Sequence, residues 1–217
     1  MLGGVVFDMD GVIIDSHPAH RLAWKGFLES VGCETRDEEL DFILDGCKRA
    51  EILKHFLGEL TPEQIADYGN RKDELLQKHG DAVQPMPGIV EFLGHLSAAG
   101  IPSAVATSAT RRRAFGTLEE LGLTCYFRAI VTGDDVTVGK PDPAIYQLAA
   151  QRMQESPERL VAVEDAASGV KSARAAGMRC LGVAPSRRAS LLRTAGADPV
   201  IPDFREFSFG QLEEYFR

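Results

Sequence analysis

The order of apolar patterns predicts an α/β fold built on a parallel sheet and interrupted once by an all-helical insertion. Three observations carry this. From residue 89 to residue 201, short apolar runs of strand length alternate with segments of helical period. The first run, Val5-Val6-Phe7, is continuous rather than alternating, as expected for a strand buried on both faces. Between Ser16 and about Gln84 the alternation stops; this stretch is too long for an ordinary crossover and reads as helix throughout.

Each element has its own signal. After the first strand, Ile89-Val90-Glu91-Phe92-Leu93 starts a helix that continues through Leu96 and stops at Gly100, with Pro102 just beyond. Ser103-Ala104-Val105-Ala106 is the second strand, and a helix from Arg112 to Leu121 follows, ended by Gly122. Ala129-Ile130-Val131 is the third strand, and the helix from Pro143 to Met153 opens on a proline suited to a first turn. Leu160-Val161-Ala162-Val163 is the fourth strand and the segment from Ser168 to Ala176 the next helix. Cys180-Leu181-Gly182-Val183 and Val200-Ile201 complete the set. Within the insertion, Leu22, Trp24, Phe27, Leu28 and Val31 fit one apolar face. Ile43, Leu44, Ile52, Leu53, Phe56 and Leu57 fit others, and Thr61-Pro62-Glu63 is a helix start. Hinges are expected near Asp15 and near Pro85-Met86-Pro87-Gly88. The expected division is therefore residues 1–15 with 85–217 as a core and 16–84 as a separate helical unit; the other arrangement packs the insertion as an extra layer on the same core.

Composition narrows the function classes. The chain of 217 residues is long enough for one sizeable domain carrying an insertion, and its apolar share of 44 % is ordinary for a globular protein. A net charge of −8 disfavours a nucleic-acid-coating surface or an anionic membrane partner, while leaving room for a local basic pocket. No apolar run approaches spanning length and the N-terminus lacks a secretion pattern, so a cytoplasmic protein is expected. Cys33, Cys47, Cys125 and Cys180 are scattered and read as free thiols, and no G-x-S-x-G elbow marks a serine hydrolase. No heptad pattern or large apolar face calls for a partner, so a monomer is expected.

The chemistry collects at strand ends. Asp8, Asp10 and Asp15 place three carboxylates within eight residues after a buried strand, with Gly11 allowing the chain to turn. Gathering them is costly unless positive charge is present, and a divalent cation held by oxygen ligands would supply it; an acidic loop closing a strand is the plainer alternative. Thr107-Ser108, Lys140 and Glu164-Asp165 follow the second, third and fourth strands. Singly they read as a helix cap, a solvated turn and an acidic loop. Ligands in open α/β sheets bind at the carboxyl edge of the strands, where all four clusters fall together.

In order, these four clusters are Asp8-Met9-Asp10-Gly11-Val12, Ala106-Thr107-Ser108, Gly139-Lys140-Pro141-Asp142-Pro143 and Val163-Glu164-Asp165-Ala166-Ala167-Ser168-Gly169. The pattern resembles the haloacid dehalogenase superfamily over nearly the whole chain, and within it the β-phosphoglucomutase-like and phosphoglycolate phosphatase-like group. The resemblance implies a Rossmann-like core with a small helical cap and a Mg²⁺-dependent reaction on a small phosphorylated metabolite. It implies Asp8 as the nucleophile that forms an aspartyl-phosphate and Asp10 as general acid and base. Mg²⁺ would be held by Asp8, the Asp10 carbonyl and Asp165, with Glu164 as ligand or support. Thr107, the Ser108 N–H and Lys140 would bind the transferring phosphoryl group.

The same resemblance points His20 with Trp24, the stretch Gly46-Cys47-Lys48-Arg49, and Arg71-Lys72 toward the site. Arg49 and Lys72 could equally be solvated helix surface and His20 a packed helix-start histidine. A mutase must also grip a second phosphate, and the group's mutases do so largely through a Ser-Lys-Asn run that here reads Ala109-Thr110-Arg111. A cap lysine is replaced by Asp45, leaving Arg49 and Arg111 for an anionic tail. Losing those donors should cost several kcal/mol at about 1.5–3 per charge-assisted bond. Hydrolysis of a phosphate monoester is therefore favoured over mutase chemistry, with a non-catalytic phosphate-binding regulator as a third possibility.

Overall fold

The computed structural model describes residues 2–44, 49–78 and 83–215. Six strands form one parallel sheet: β1 (Gly4–Phe7), β4 (Ser103–Ala106), β5 (Phe127–Val131), β6 (Leu160–Glu164), β7 (Arg179–Val183) and β8 (Val200–Ile201). Their order is β5-β4-β1-β6-β7-β8, so β1 lies between the two directions in which the chain winds. Phe7 pairs in register with Val105 on one side and Val163 on the other. The carboxyl end of β1 is thus a topological switch point, where neighbouring connections depart to opposite sides and leave a crevice.

The continuous apolar character of β1 has a direct cause. Val5 and Phe7 enter one buried cluster with Ile89, Phe92, Leu96 and Leu118, while Val6 enters another with Tyr146, Ala149 and Val170. Helices α4 (Ile89–Ala98), α5 (Arg111–Glu120) and α9 (Phe209–Tyr215) supply the first layer. Helices α6 (Ala144–Met153), α7 (Ala167–Ala175) and α8 (Ser186–Ala195) supply the second. Full burial of a side chain such as Phe7 contributes about 1.5–3 kcal/mol. The expected parallel α/β architecture is present. Helices α8 and α9 were not expected: α8 buries only Ala189 and Leu192 amid polar residues, so its apolar period is weak.

The insertion contains α1 (His17–Ser30), a 3-10 turn (Glu39–Leu44), α2 (Arg49–Leu57) and α3 (Pro62–Lys78). These close on an apolar cluster of their own, with Trp24, Phe27, Leu28, Leu40, Ile52 and Leu53 buried. Leu22, placed on the apolar face by the sequence pattern, is 55 % exposed; Ala19, Ala23 and Phe27, spaced four apart, form the inward stripe instead. Both ends of the insertion meet in a two-stranded antiparallel ribbon, β2 (Ile14–Asp15) with β3 (Gln84–Pro85). That ribbon, not anticipated, falls where the hinges were expected. Asp45, Gly46, Cys47 and Lys48 lie outside the described residues.

Candidate active site

The chain leaves β1 through a tight turn in which the Met9 carbonyl accepts the N–H groups of Ile13 and Ile14 at 2.9 and 3.0 Å. Gly11 sits in this turn at φ +73°, and a side chain there would run into the His17 ring and the Asp165 carboxylate. The turn separates two carboxylates into different surroundings. Asp8 points to the buried floor, and Asp10 points toward α1 and α5.

Lys140 organises the floor. Although only 2 % exposed, its ammonium donates to Asp8 Oδ1 at 2.6 Å, Glu164 Oε1 at 2.5 Å and the Ala106 carbonyl at 3.1 Å. A buried lysine would ordinarily shed its proton, but the two carboxylates override burial and hold it charged. Glu164 Oε1 also accepts from the Tyr146 hydroxyl at 2.6 Å, and Oε2 faces the N–H groups of Asp165 and Ala166 at 3.2 and 3.4 Å. Burial pushes the Asp8 carboxyl well above the usual range; Lys140 opposes this, while Glu164, Asp165 and Asp10 add to it.

That surplus of negative charge fits a divalent cation. Carboxylate oxygens of Asp8, Glu164 and Asp165 lie within 4.8 Å of one another, and Asp165 Oδ2 is buried with only the His17 ring facing it. His17 Nε2 lies 2.9 Å from that oxygen, an ion-pair distance. An all-oxygen acidic set of this kind suits a hard cation such as Mg²⁺. Glu164 belongs to the cluster, yet both its oxygens already serve Lys140, Tyr146 and the following loop.

Above Asp8, β4 is followed by Thr107, whose N–H donates to the Val131 carbonyl at 3.0 Å and whose hydroxyl oxygen accepts the Ala109 N–H at 3.1 Å. Ser108 lines the same cleft. Behind them the turn Gly133–Asp135 is held by reciprocal bonds between Thr132 and Asp135 and by the Gly133 N–H to the Ala109 carbonyl at 2.8 Å. Burial opposes ionisation of Asp135, but Arg152 and Thr132 outweigh it and set the carboxyl at about 2.

The opposite wall comes from the insertion and from α5, across a cleft of about 390 Å³. His20, Arg49 and Lys72 all line it, so three residues that the resemblance pointed toward the site meet there, one of them, Arg49, expected to bind an anionic tail. Lys72 is only 4 % exposed; burial first, then Arg113, lower its ammonium to about 8. Its Nζ lies 3.3 Å from His20 Nδ1, while His20 Nε2 lies 3.5 Å from Asp10 Oδ1. Burial and Lys72 lower His20 to about 4, so it is neutral at pH 7, with Nδ1 accepting from Lys72 and Nε2–H facing Asp10. Arg49 pairs with Asp73 and passes across Gly69 of α3, where any side chain would occupy the guanidinium's place.

Arg111 is not part of this wall. It stacks on Phe115, 4.7 Å from the ring centroid, and Arg71 lies over Phe27 and Tyr68. The residue that enters is Arg113, the last of the basic run Arg111-Arg112-Arg113 that could widen an anion site or stay solvated at a helix start: it grips Asp10 with both terminal nitrogens. Successive residues of a helix point about 100° apart, so the run Arg111-Arg112-Arg113 fans around α5 rather than presenting one patch. Burial would raise the Asp10 carboxyl, but Arg113 and then His20 override it and hold Asp10 well below the usual carboxylate range. Ser16 Oγ adds a hydrogen bond at 2.5 Å. Ser16, Asp73, Arg113 and Tyr146 are thus site residues without a local sequence signal, except that Arg113 belongs to a conspicuous basic run.

Such a site defines an enzyme that works on an anion beside a carboxylate pair, and relatives place it further. The family model for haloacid dehalogenase-like hydrolases matches residues 5–183, and the chain belongs to that family. It is 35 % identical over 185 residues to the phosphorylated carbohydrates phosphatase of Thermotoga maritima, covering 84 % of this chain and 85 % of the relative. It is 31 % identical over 219 residues to the β-phosphoglucomutase of Bacillus subtilis, covering 97 % and 93 %. The crystal structure of CbbY from Rhodobacter sphaeroides in complex with phosphate superposes with a TM-score of 0.83 at 28 % identity, covering 98 % of this chain and 100 % of that one. The protein is therefore a β-phosphoglucomutase-like member of the family, an enzyme of the phosphoric monoester hydrolase type. Among the described residues no helix is long and apolar enough to cross a membrane.

Proposed function

We propose that the protein is a Mg²⁺-dependent phosphatase that hydrolyses a small phosphate monoester, a sugar phosphate or similar metabolite, through an aspartyl-phosphate on Asp8. The observation that carries this is the separation of two carboxylates on one turn, Asp8 against Lys140 and Asp10 against Ser16, His20 and Arg113. Asp8 attacks phosphorus as the ester P–O bond breaks, and Asp10 gives a proton to the leaving alkoxide. Water then attacks the aspartyl-phosphate while Asp10 takes the water's proton, releasing phosphate and restoring Asp8. Lys140, Thr107 and the Ser108 N–H hold the phosphoryl oxygens where charge spreads. Asp8, the Asp10 carbonyl and Asp165 would hold Mg²⁺, which supplies positive charge against the phosphoryl oxygens and relieves the crowding of acids. Glu164, committed to Lys140 and Tyr146, is read as a support that positions the lysine rather than as a ligand.

The helical unit of residues 16–84 acts as a cap over this floor and carries His20, Arg49 and Lys72 to the leaving group. The free thiols of Cys33, Cys125 and Cys180 suit a cytoplasmic location, and the protein is read as a monomer. Phosphate release from a panel of sugar phosphates with Mg²⁺, repeated with Asp8→Asn, tests the reading; no release from any substrate would sink it. The mutase reading is favoured by the 31 % identical β-phosphoglucomutase and by the cations in the cap wall. Conversion of β-glucose 1-phosphate to glucose 6-phosphate, primed by a bisphosphate, would establish it instead.

A further inference from the structure

The chemistry proposed for Asp10 conflicts with the way Asp10 is held. Arg113 Nη1 donates to Oδ1 at 3.0 Å and Nη2 donates to Oδ2, a forked pairing that occupies both oxygens. Ser16 Oγ at 2.5 Å and His20 Nε2 at 3.5 Å crowd Oδ1 further. Both oxygens are thus engaged, so a leaving alkoxide has to compete with Arg113 for Asp10.

Withdrawal of Arg113 needs a replacement partner. Arg113 stands in the first turn of α5 behind Arg111 and Arg112, where the helix dipole already disfavours positive charge. Lys72 in the facing wall adds a repulsion, felt as a lowering of its own ammonium. Other cleft cations are matched by groups outside the acid–base step: Arg49 and Lys72 by Asp73, Lys140 by Asp8 and Glu164. The Arg113 pair differs because its partner is the carboxylate that must serve the leaving group.

We propose that Arg113 is a specificity-determining latch, selecting substrates whose leaving group carries a second oxyanion. A phosphate or carboxylate presents the same pair of acceptors to a guanidinium fork as Asp10 does. It draws Arg113 away and frees Asp10 in one movement, whereas a neutral polyol tail leaves the latch closed. This rests on the phosphatase reading and deepens it.

The test uses matched pairs: fructose 1-phosphate against fructose 1,6-bisphosphate for a second phosphate, and glucose 6-phosphate against 6-phosphogluconate for a carboxylate. Turnover of the wild type, Arg113→Met and Arg113→Lys is measured with Mg²⁺, and binding is measured calorimetrically on Asp8→Asn with and without Arg113→Met. Expected is a preference in kcat/KM for the doubly charged member of at least one pair. That preference should shrink at least tenfold in Arg113→Met, about 1.4 kcal/mol of selectivity, and recover in part in Arg113→Lys. Equal losses on both members of each pair would make Arg113 a mere support of Asp10 and overturn the proposal, as would a wild type that prefers neutral tails. A thermal melt identifies a misfolded Arg113→Met, in which case Arg113→Lys decides by the same ratio. If the wild type releases no phosphate but Asp8→Asn discriminates within a pair and loses this with Arg113→Met, the hydrolase reading falls and the selectivity stands. Neither release nor binding overturns both.

Discussion

The floor and the cap wall of the cleft hold charge in opposite ways. On the floor, Lys140, Asp8, Glu164 and Tyr146 form a closed, buried network attached to strand ends, with every distance between 2.5 and 2.6 Å. On the cap wall, Lys72 meets His20 and Asp73 through longer contacts of 3.3 and 3.5 Å, only the Arg49–Asp73 pair is tight, and all four residues hang from helices. A rigid floor suits a step common to all phosphate esters, where fixed donors must await developing charge. A looser wall suits a surface that meets different leaving groups. On the proposed reading, reactivity and selectivity are carried by different elements of one chain.

The contrast can be broken at its strongest point first. Asp8→Asn should lower phosphate release at least about 10³-fold, as loss of a nucleophile does, with the melting temperature nearly unchanged. Comparable turnover by that variant would remove the floor from the chemistry. Lys140→Met should cost about 10²–10³ in kcat and, by leaving Glu164 buried and unpaired, about 3–5 kcal/mol of stability in urea unfolding. Losing activity without stability would show that the network is less closed than its distances indicate.

Phe27→Ala addresses the cap, whose cluster packs separately from the sheet. A loss of about 3–5 kcal/mol is expected, and melting should split into an early phase for residues 16–84 and a later one for the core. A single lowered transition would instead favour the insertion as a layer of one cooperative unit. Lys72 offers a milder probe: with its ammonium at about 8, the charge is present below that pH and lost above it. KM for an anionic substrate should rise through pH 8, by up to about tenfold for a contact of 1.4 kcal/mol, and Lys72→Met should flatten that profile. The smallest effect belongs to the turn behind Thr107. The Asp135 carboxyl is lowered from 3.8 to about 2, so its contribution is present above pH 4 and is lost as pH falls toward 2. Asp135→Asn should cost about 1 kcal/mol and remove that acid sensitivity in thermal melts.

Much of the floor was legible from residue order alone. Val5-Val6-Phe7 reads as a doubly buried strand because both sheet faces carry helices, and Asp8, Thr107 and Glu164 follow their strands because a parallel sheet aligns its carboxyl ends. The cap wall was legible only through resemblance, since Lys72 and His20 are separated by 52 residues and meet through helix packing. Leu22 and α8 were misjudged where a pattern of few apolar residues left the helical phase undecided.

Local patterns, strand ends and turn chemistry therefore determine which groups reach the floor, because strand direction is a backbone property that short runs encode. Tertiary structure decides which basic residue meets Asp10. Arg111 and Arg113 are chemically identical neighbours, yet helical rotation sends one onto Phe115 and the other into the cleft. The phase of α5 is set by burial of Ala114 and Leu118 against the sheet, a contact between distant segments. The run at 111–113 offers three arginines; packing chooses the one that faces the acid.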